Sequence, residues 1–208
     1  MKKLITIISL LFLSVTVSYA QNATAAKKLL DEVSAKTKTY QNMVIDFSFN
    51  NGKQESSGKA SISGSKYVVD FMGVTQIFDG SKMYIINPND EEVTVSSAAS
   101  TNSQAVSIAN ILSFYKKGYT YVWDKKQTIS GKSIQYVKLI PTNNTSVKEI
   151  YLGIDTKTKN IYNRTDVYKN GSKSIITIKS FKTNQSLSKN HFTFTKSKYP
   201  NYYINNLD

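Results

Sequence analysis

The sequence predicts a mainly β protein: one large, strongly curved antiparallel sheet or barrel of about eleven strands, with two amphipathic helices left over to cover it. Three observations carry this. Short runs that alternate apolar and polar residues recur about every eight to twelve residues over most of the chain. The breaks between them are turn formers, and Asn51-Gly52 and Asn170-Gly171 are the strongest hairpin signals, because both residue types tolerate positive φ. Only two stretches exchange the two-residue period for a helical one.

The chain of 208 residues begins with Lys2 and Lys3, an apolar run from Leu4 to Val17, and then Ser18-Tyr19-Ala20. That layout is a secretory signal peptide over residues 1–20: the apolar run is too short to span a bilayer, and small residues stand where signal peptidase cuts. The expected mature chain, residues 21–208, reads as a single domain without repeats or a linker. Its first element is a helix over 23–38, where Ala26, Leu29, Leu30 and Val33 form one stripe and Lys27, Lys28, Asp31, Glu32 and Lys36 the other. The period then changes to two at Met43, Ile45, Phe47 and Phe49. Strands are expected at 43–50, 58–62, 66–72, 75–78, 82–87 and 92–96, joined as a meander by Gly64-Ser65, Gly73, Asp79-Gly80 and Asn87-Pro88-Asn89-Asp90. A second helix is expected over 103–117, with Ala105, Ile108, Ala109, Leu112 and Tyr115 in its stripe and Gly118 as its stop. Strands resume at 119–124, 126–130, 134–140, 147–154, 161–168, 172–181 and 191–195.

Charge and composition exclude several kinds of chemistry. Lys and Arg number 27 against 14 Asp and Glu, a formal charge of +13, yet Arg164 is the sole arginine. A lysine excess without arginine describes solvated faces and guarded strand edges rather than a reader of phosphates or base edges, so no nucleic-acid partner is expected. The absence of cysteine removes disulfides, thiolate chemistry, Cys-zinc sites and lipid attachment at the cleavage junction. His191 is the one imidazole and reads as a turn or strand-start residue making a local hydrogen bond. There is no Gly-x-Ser-x-Gly elbow, and Asp90-Glu91-Glu92 reads as a solvated hairpin loop rather than a catalytic pair. No catalytic residue, metal or cofactor is expected, and the protein is not expected to be an enzyme.

The apolar and aromatic strand residues remain. Met43, Ile45, Phe47, Phe49, Val69, Phe71, Phe78, Met83, Tyr121 and Trp123 are the candidates for a hydrophobic ligand cavity. Leu29, Leu30 and Val33 of the first helix, with Ile108 and Leu112 of the second, are the candidate lid. Periodicity leaves a solid core beneath ordinary covering helices equally open. A guest acyl chain would need no catalytic group, since burial stabilises it by about 0.8 kcal/mol per CH₂.

A set of segments, in order over nearly all of residues 21–208, then narrows the reading. They are Ala25-Ala26-Lys27-Lys28-Leu29-Leu30 through Tyr40, Ile45-Asp46-Phe47-Ser48-Phe49, and Ile77-Phe78-Asp79-Gly80-Ser81-Lys82-Met83-Tyr84-Ile85-Ile86-Asn87-Pro88. Glu92-Val93-Thr94-Val95, Lys148-Glu149-Ile150-Tyr151-Leu152-Gly153-Ile154-Asp155 and His191-Phe192-Thr193-Phe194 follow. In these the sequence resembles the periplasmic outer-membrane lipoprotein carriers of the LolA family, in the divergent form seen in Bacteroidetes-like bacteria. The resemblance implies an incomplete antiparallel barrel with a helical lid, whose apolar interior shelters the acyl chains of a lipoprotein. It further implies a monomer in the periplasm that takes acylated lipoproteins from an inner-membrane exporter complex and passes them to an outer-membrane acceptor. An envelope sensor or scaffold that binds another hydrophobic ligand on the same fold is the alternative. One departure stands out: carriers of this type use an arginine on an early strand to hold the lid, and residues 41–62 contain none. That leaves the latch absent, or assigned to Lys53, Lys59 or a neutral group.

Overall fold

The computed structural model describes residues 22–97, 115 and 117–207. The expected signal peptide and the lid positions Ile108 and Leu112 lie outside the described residues. Helix α1 covers 22–37, and β1 (Met43–Asn50), β2 (Glu55–Ser63), β3 (Lys66–Phe71), β4 (Val74–Phe78), β5 (Lys82–Asn87) and β6 (Glu92–Ser97) follow. Next come β7 (Tyr119–Ile129), β8 (Lys132–Pro141), β9 (Val147–Asp155) and β10 (Ile161–Tyr168). β11 (Lys173–Thr183), a 3-10 turn at Lys196–Lys198 and β12 (Tyr203–Asn206) complete the described chain.

The protein is mainly β, as the sequence predicts. It forms two compact units, one from residues up to Lys36 together with Tyr115–Ser172, the other from Thr37–Phe114 together with Lys173–Asp208. Within the first the strand order is β10-β9-β8-β7, and within the second it is β12-β6-β5-β4-β3-β2-β1-β11. All neighbours within each unit are antiparallel except β12 and β6, which run parallel. Among the described residues β7 and β12 each have one strand neighbour. Among the described residues no helix is long and apolar enough to cross a membrane.

In the first unit, α1 buries the stripe read from the sequence: Ala26, Leu29, Leu30 and Val33 are all buried. Two tyrosines tie the helix down. The Tyr115 hydroxyl donates to the Leu30 carbonyl at 2.6 Å and the Tyr121 hydroxyl to the Tyr115 carbonyl at 2.7 Å, while Lys159 pairs with Glu32 at 2.7 Å. The strands contribute Ile134, Val137, Leu139, Ile150, Leu152 and Ile154, all fully buried.

The sequence breaks 119–130 into two strands at Asp124-Lys125, where alternation fails; the structure makes one strand with a bulge between Trp123 and Lys126. Gln135 explains why the extra residue is tolerated. Its side chain is 3% exposed, and Nε2 donates to the carbonyls of Asp124 at 2.7 Å and Tyr136 at 2.9 Å, with the Lys125 carbonyl at 3.3 Å. A bulge leaves carbonyls without ladder partners, and this amide supplies the missing donors. Gln135→Ala is expected to destabilise by about 1–3 kcal/mol, the range for leaving buried acceptors unsatisfied. Urea unfolding tests this, and an unchanged midpoint would show that water serves the bulge equally well.

β9 ends in a turn organised by Asp155, whose Oδ1 accepts the N–H of Lys157 at 2.9 Å and of Thr158 at 3.2 Å. Burial by itself raises this carboxyl, but the N–H donors of Thr158 and Lys157, with smaller help from the Thr158 hydroxyl and Lys132, hold it below the usual carboxylate range. A depressed folded-state pKa contributes stability above the unfolded value, near pH 4, that is lost as pH falls through the folded value. Asp155→Ala is therefore expected to lose about 1–3 kcal/mol at neutral pH, and the gap from wild type should narrow below about pH 4. Denaturant titrations at both pH values check the sign.

The second unit packs both sides of its sheet. On one side Ile77, Ile86, Val93 and Val95 form a buried cluster with Val68 and Tyr84, and the C-terminal segment covers it with Phe194, Tyr199, Tyr202 and Ile204. Phe194 stacks on Tyr84 at 4.8 Å and on Tyr199 at 5.7 Å. Residues 191–195, expected as a strand, are a turn followed by irregular backbone. The alternation of Phe192 and Phe194 imitates a strand, but here stacking rather than a hydrogen-bonded ladder holds the chain. His191 sits in that turn, its N–H donating to the Ser188 carbonyl at 3.0 Å. β12, which the sequence did not suggest, then pairs with β6.

Candidate functional site

The other side of the second unit's sheet carries the candidate site, and strand register builds it. Directly opposed residues of antiparallel neighbours share a face. One row across β1 to β5 is Met43, Ile62, Tyr67, Phe78 and Met83; the next is Ile45, Ala60, Val69, Gln76 and Ile85; the third is Phe47, Gly58, Phe71 and Val74. Phe49 extends the face opposite Ser56, and β11 adds Phe181, Ile178 and Ile176 beside Ile45, Phe47 and Phe49. Met43, Ile45, Phe47, Phe49, Val69, Phe71, Phe78 and Met83 therefore lie on one face. No lysine, arginine, aspartate or glutamate stands in these three rows.

The face is closely packed. Phe47 and Phe71 lie 5.5 Å apart, Phe49 meets Phe71 edge-on at 5.6 Å, and Tyr67 and Phe78 lie 5.5 Å apart. The Tyr67 hydroxyl reaches the Met83 sulfur at 3.7 Å, and burial pushes its pKa up. Ile45 is 2% and Phe47 5% exposed, while Phe49, Phe71 and Phe78 are half-buried. Gly58 makes the packing possible: a Cβ there would lie 2.4 Å from the Phe47 ring, so the ring rests directly on the Gly58 backbone.

Ile62, Ile85, Ile176 and Ile178 share this face and escaped the sequence reading. For β11 the reason is local. Ile175 and Ile176 are adjacent, and a bulge opposite Asp46 and Phe47 shifts the parity, so alternation cannot say which isoleucine faces which side.

Other candidates fall elsewhere. Tyr121 and Trp123 belong to the first unit, on β7 opposite Leu139 and Val137, where Trp123 is 37% exposed beside the bulge. The lid candidates Leu29, Leu30 and Val33 are the buried stripe of α1. Lys59 lies in register with Asp46 and Asp70, one residue out of step with the apolar rows and so on the opposite side of the sheet; Lys53 is exposed in the β1–β2 turn. Arg164 makes a bidentate pair with Asp166 at 2.7 and 2.9 Å on β10. A cavity of about 280 Å³ in the first unit is lined by Lys27, Asp31, Tyr115 and Tyr121, a polar set unsuited to an alkyl chain. Among the described residues no cluster of His, Asp or Glu is arranged to hold a metal ion.

The model of the family described as "Outer membrane lipoprotein carrier protein LolA" matches residues 74–195. No curated protein sequence matches the chain. Among solved structures, an uncharacterized conserved protein from Thermus thermophilus is similar with a TM-score of 0.65 at 8% identity, covering 88% of this chain and 99% of that one. A putative outer membrane lipoprotein-sorting protein domain from Vibrio parahaemolyticus is similar with a TM-score of 0.51 at 11% identity, covering 86% and 99%. At such identities these likenesses speak to the fold.

Proposed function

The chain belongs to the outer membrane lipoprotein carrier protein LolA family, and from that premise we propose that its apolar face holds the acyl chains of a lipoprotein while the lipoprotein passes between membranes. The observation that carries this reading is the run of three rows, two across five strands and one across four, without a charged side chain. Each alkyl CH₂ moved from water onto such a surface gains about 0.8 kcal/mol, so affinity grows with chain length and needs no covalent step. The protein then works as a non-enzymatic carrier, monomeric and periplasmic. It receives cargo from an inner-membrane exporter complex and yields it to an outer-membrane acceptor. Direction comes from the exporter's energy and the acceptor's greater affinity rather than from the carrier itself.

Phe71→Glu tests the site. Phe71 is half-buried at the end of its strand, so a carboxylate there can reach solvent and spare the fold while obstructing an alkyl chain. Binding of a dipalmitoylated lipopeptide is expected to weaken tenfold or more. Ser57→Glu, exposed on the opposite side of the sheet, should leave it unchanged. Equal affinity in both variants would place the acyl chains elsewhere and favour a sensor or scaffold that recognises another ligand.

A further inference from the structure

The two single-neighbour strands are protected unequally. β7 carries a pinned bulge with exposed Lys125 and Lys126, devices that discourage strand addition. β12 has none: Tyr203-Ile204-Asn205-Asn206-Leu207 contains neither charge nor proline. Among the described residues no strand pairs with its outer edge. Two of the large exposed apolar side chains also lie here, Tyr203 at 68% and Leu207 at 59%.

The backbone shows which groups are on offer. The Tyr203 N–H donates to the Glu91 carbonyl at 2.8 Å and the Leu207 N–H to the Val95 carbonyl at 2.9 Å. In a parallel strand the N–H and C=O of one residue point the same way and alternate along the chain. Ile204 and Asn206 therefore turn theirs outward. The side chains report the face. Tyr203 is in register with Glu92 and Asn205 with Thr94, which in turn oppose Asn87 and Ile85, so Tyr203, Asn205 and Leu207 lie on the same side as the apolar rows. Ile204 packs in the opposite cluster.

We propose that the outer edge of β12 takes up, as an added strand, the extended polypeptide segment that follows the acylated residue of the cargo, with Tyr203 and Leu207 as its side-chain contacts. This rests on the acyl-binding reading. From Ile85 the edge is two strand spacings away, about 10 Å, which about three extended residues cover. A peptide anchored through its acyl chains meets the edge as an intramolecular partner at high effective concentration, so a short ladder suffices. A second copy of this chain has no such tether, and five edge residues bury far less than the ~1,200 Å² a stable dimer needs.

The test measures binding of three probes to the full chain: dipalmitoylglyceryl-cysteine amide, the same group with an eight-residue Ser/Thr/Val tail, and that tail N-methylated at alternate positions. The tailed probe is expected to bind tenfold or more tighter than the tail-less one, and N-methylation should erase the gain. Asn206→Pro removes one outward N–H and no bond to β6, so it should erase the gain while leaving tail-less affinity intact. Leu207→Lys, at an exposed side chain, should cut the gain in the same way and covers the case in which proline disturbs the strand. Equal affinity for tailed and tail-less probes, or a gain that persists in both variants, overturns the proposal. Concentration-dependent dimerisation that Asn206→Pro abolishes and the tail does not compete with overturns it in favour of a second copy. Failure of the tail-less probe to bind at all overturns the acyl reading and this inference together.

Discussion

A chain ending at Leu187 is expected to aggregate rather than fold its second unit. Removing the residues beyond it strips Phe194, Tyr199, Tyr202 and Ile204 from the Ile77, Ile86, Val93 and Val95 cluster. It also takes β12 from β6, leaving a strand with two buried valines as an open edge. The four are half-buried, so each contributes less than the ~1.5–3 kcal/mol of full burial, but their loss also bares the buried cluster beneath them, and the two together are a large share of the ~5–15 kcal/mol that holds a typical domain folded. Sedimentation and thermal denaturation of the truncated chain measure this. A monomer melting within about 2 °C of the intact protein would mean the segment is an ornament. Phe194→Ala is the graded version. It breaks the stack between Tyr84 and Tyr199 without opening the edge, and should destabilise without aggregation.

The second large effect belongs to Phe47 and Gly58. Phe47→Ala should lose about 3–5 kcal/mol, because the ring is buried and its removal leaves a void bounded by Phe71. Gly58→Ala alone should lose about 1–3 kcal/mol by overpacking, since the new methyl would occupy the place of the Phe47 ring. The two are not additive. With Phe47 already alanine, the methyl at 58 enters the vacated space and helps to fill it, so the double variant should be no less stable than Phe47→Ala. A double-mutant cycle by chemical denaturation reads this coupling directly, and strict additivity would show that the two residues do not meet.

Much of this face was legible in the sequence because it obeys the two-residue period. Met43, Ile45, Phe47 and Phe49 alternate without a break, and Val69 with Phe71 and Phe78 with Met83 continue the pattern through tight hairpins. Legibility failed where register was broken or where pairing was remote in sequence. The bulge in β7 looked like a gap between two strands because its remedy, the Gln135 amide, comes from the neighbouring strand. β12 was missed because a four-residue strand following irregular chain leaves no periodic trace. Phe192-Thr193-Phe194 was misread for the opposite reason, since it alternates like a strand yet pairs with none. No composition rule could foresee that the lone arginine, Arg164, is engaged through two nitrogens by Asp166, two residues away.

The pairing of β1 with β11 sets a timetable for the chain's birth. A chain threaded through an export pore, as the proposed periplasmic location requires, emerges N-terminus first, and β1 through β6 can zip as a meander while they emerge, each hairpin closing on its predecessor. The second neighbour of β1 arrives only after β7 to β10 have been made, since Met43 waits for Thr183 and Ile45 for Phe181. Throughout that interval one flank of β1, with Met43, Ile45 and Phe47 along it, has no ladder partner. Long sequence separation between partners slows folding, so closure of this seam is expected to be a late and slow event. The emerging chain must therefore keep one flank of an apolar strand open over a long interval, and that flank is where a holding chaperone would serve it best.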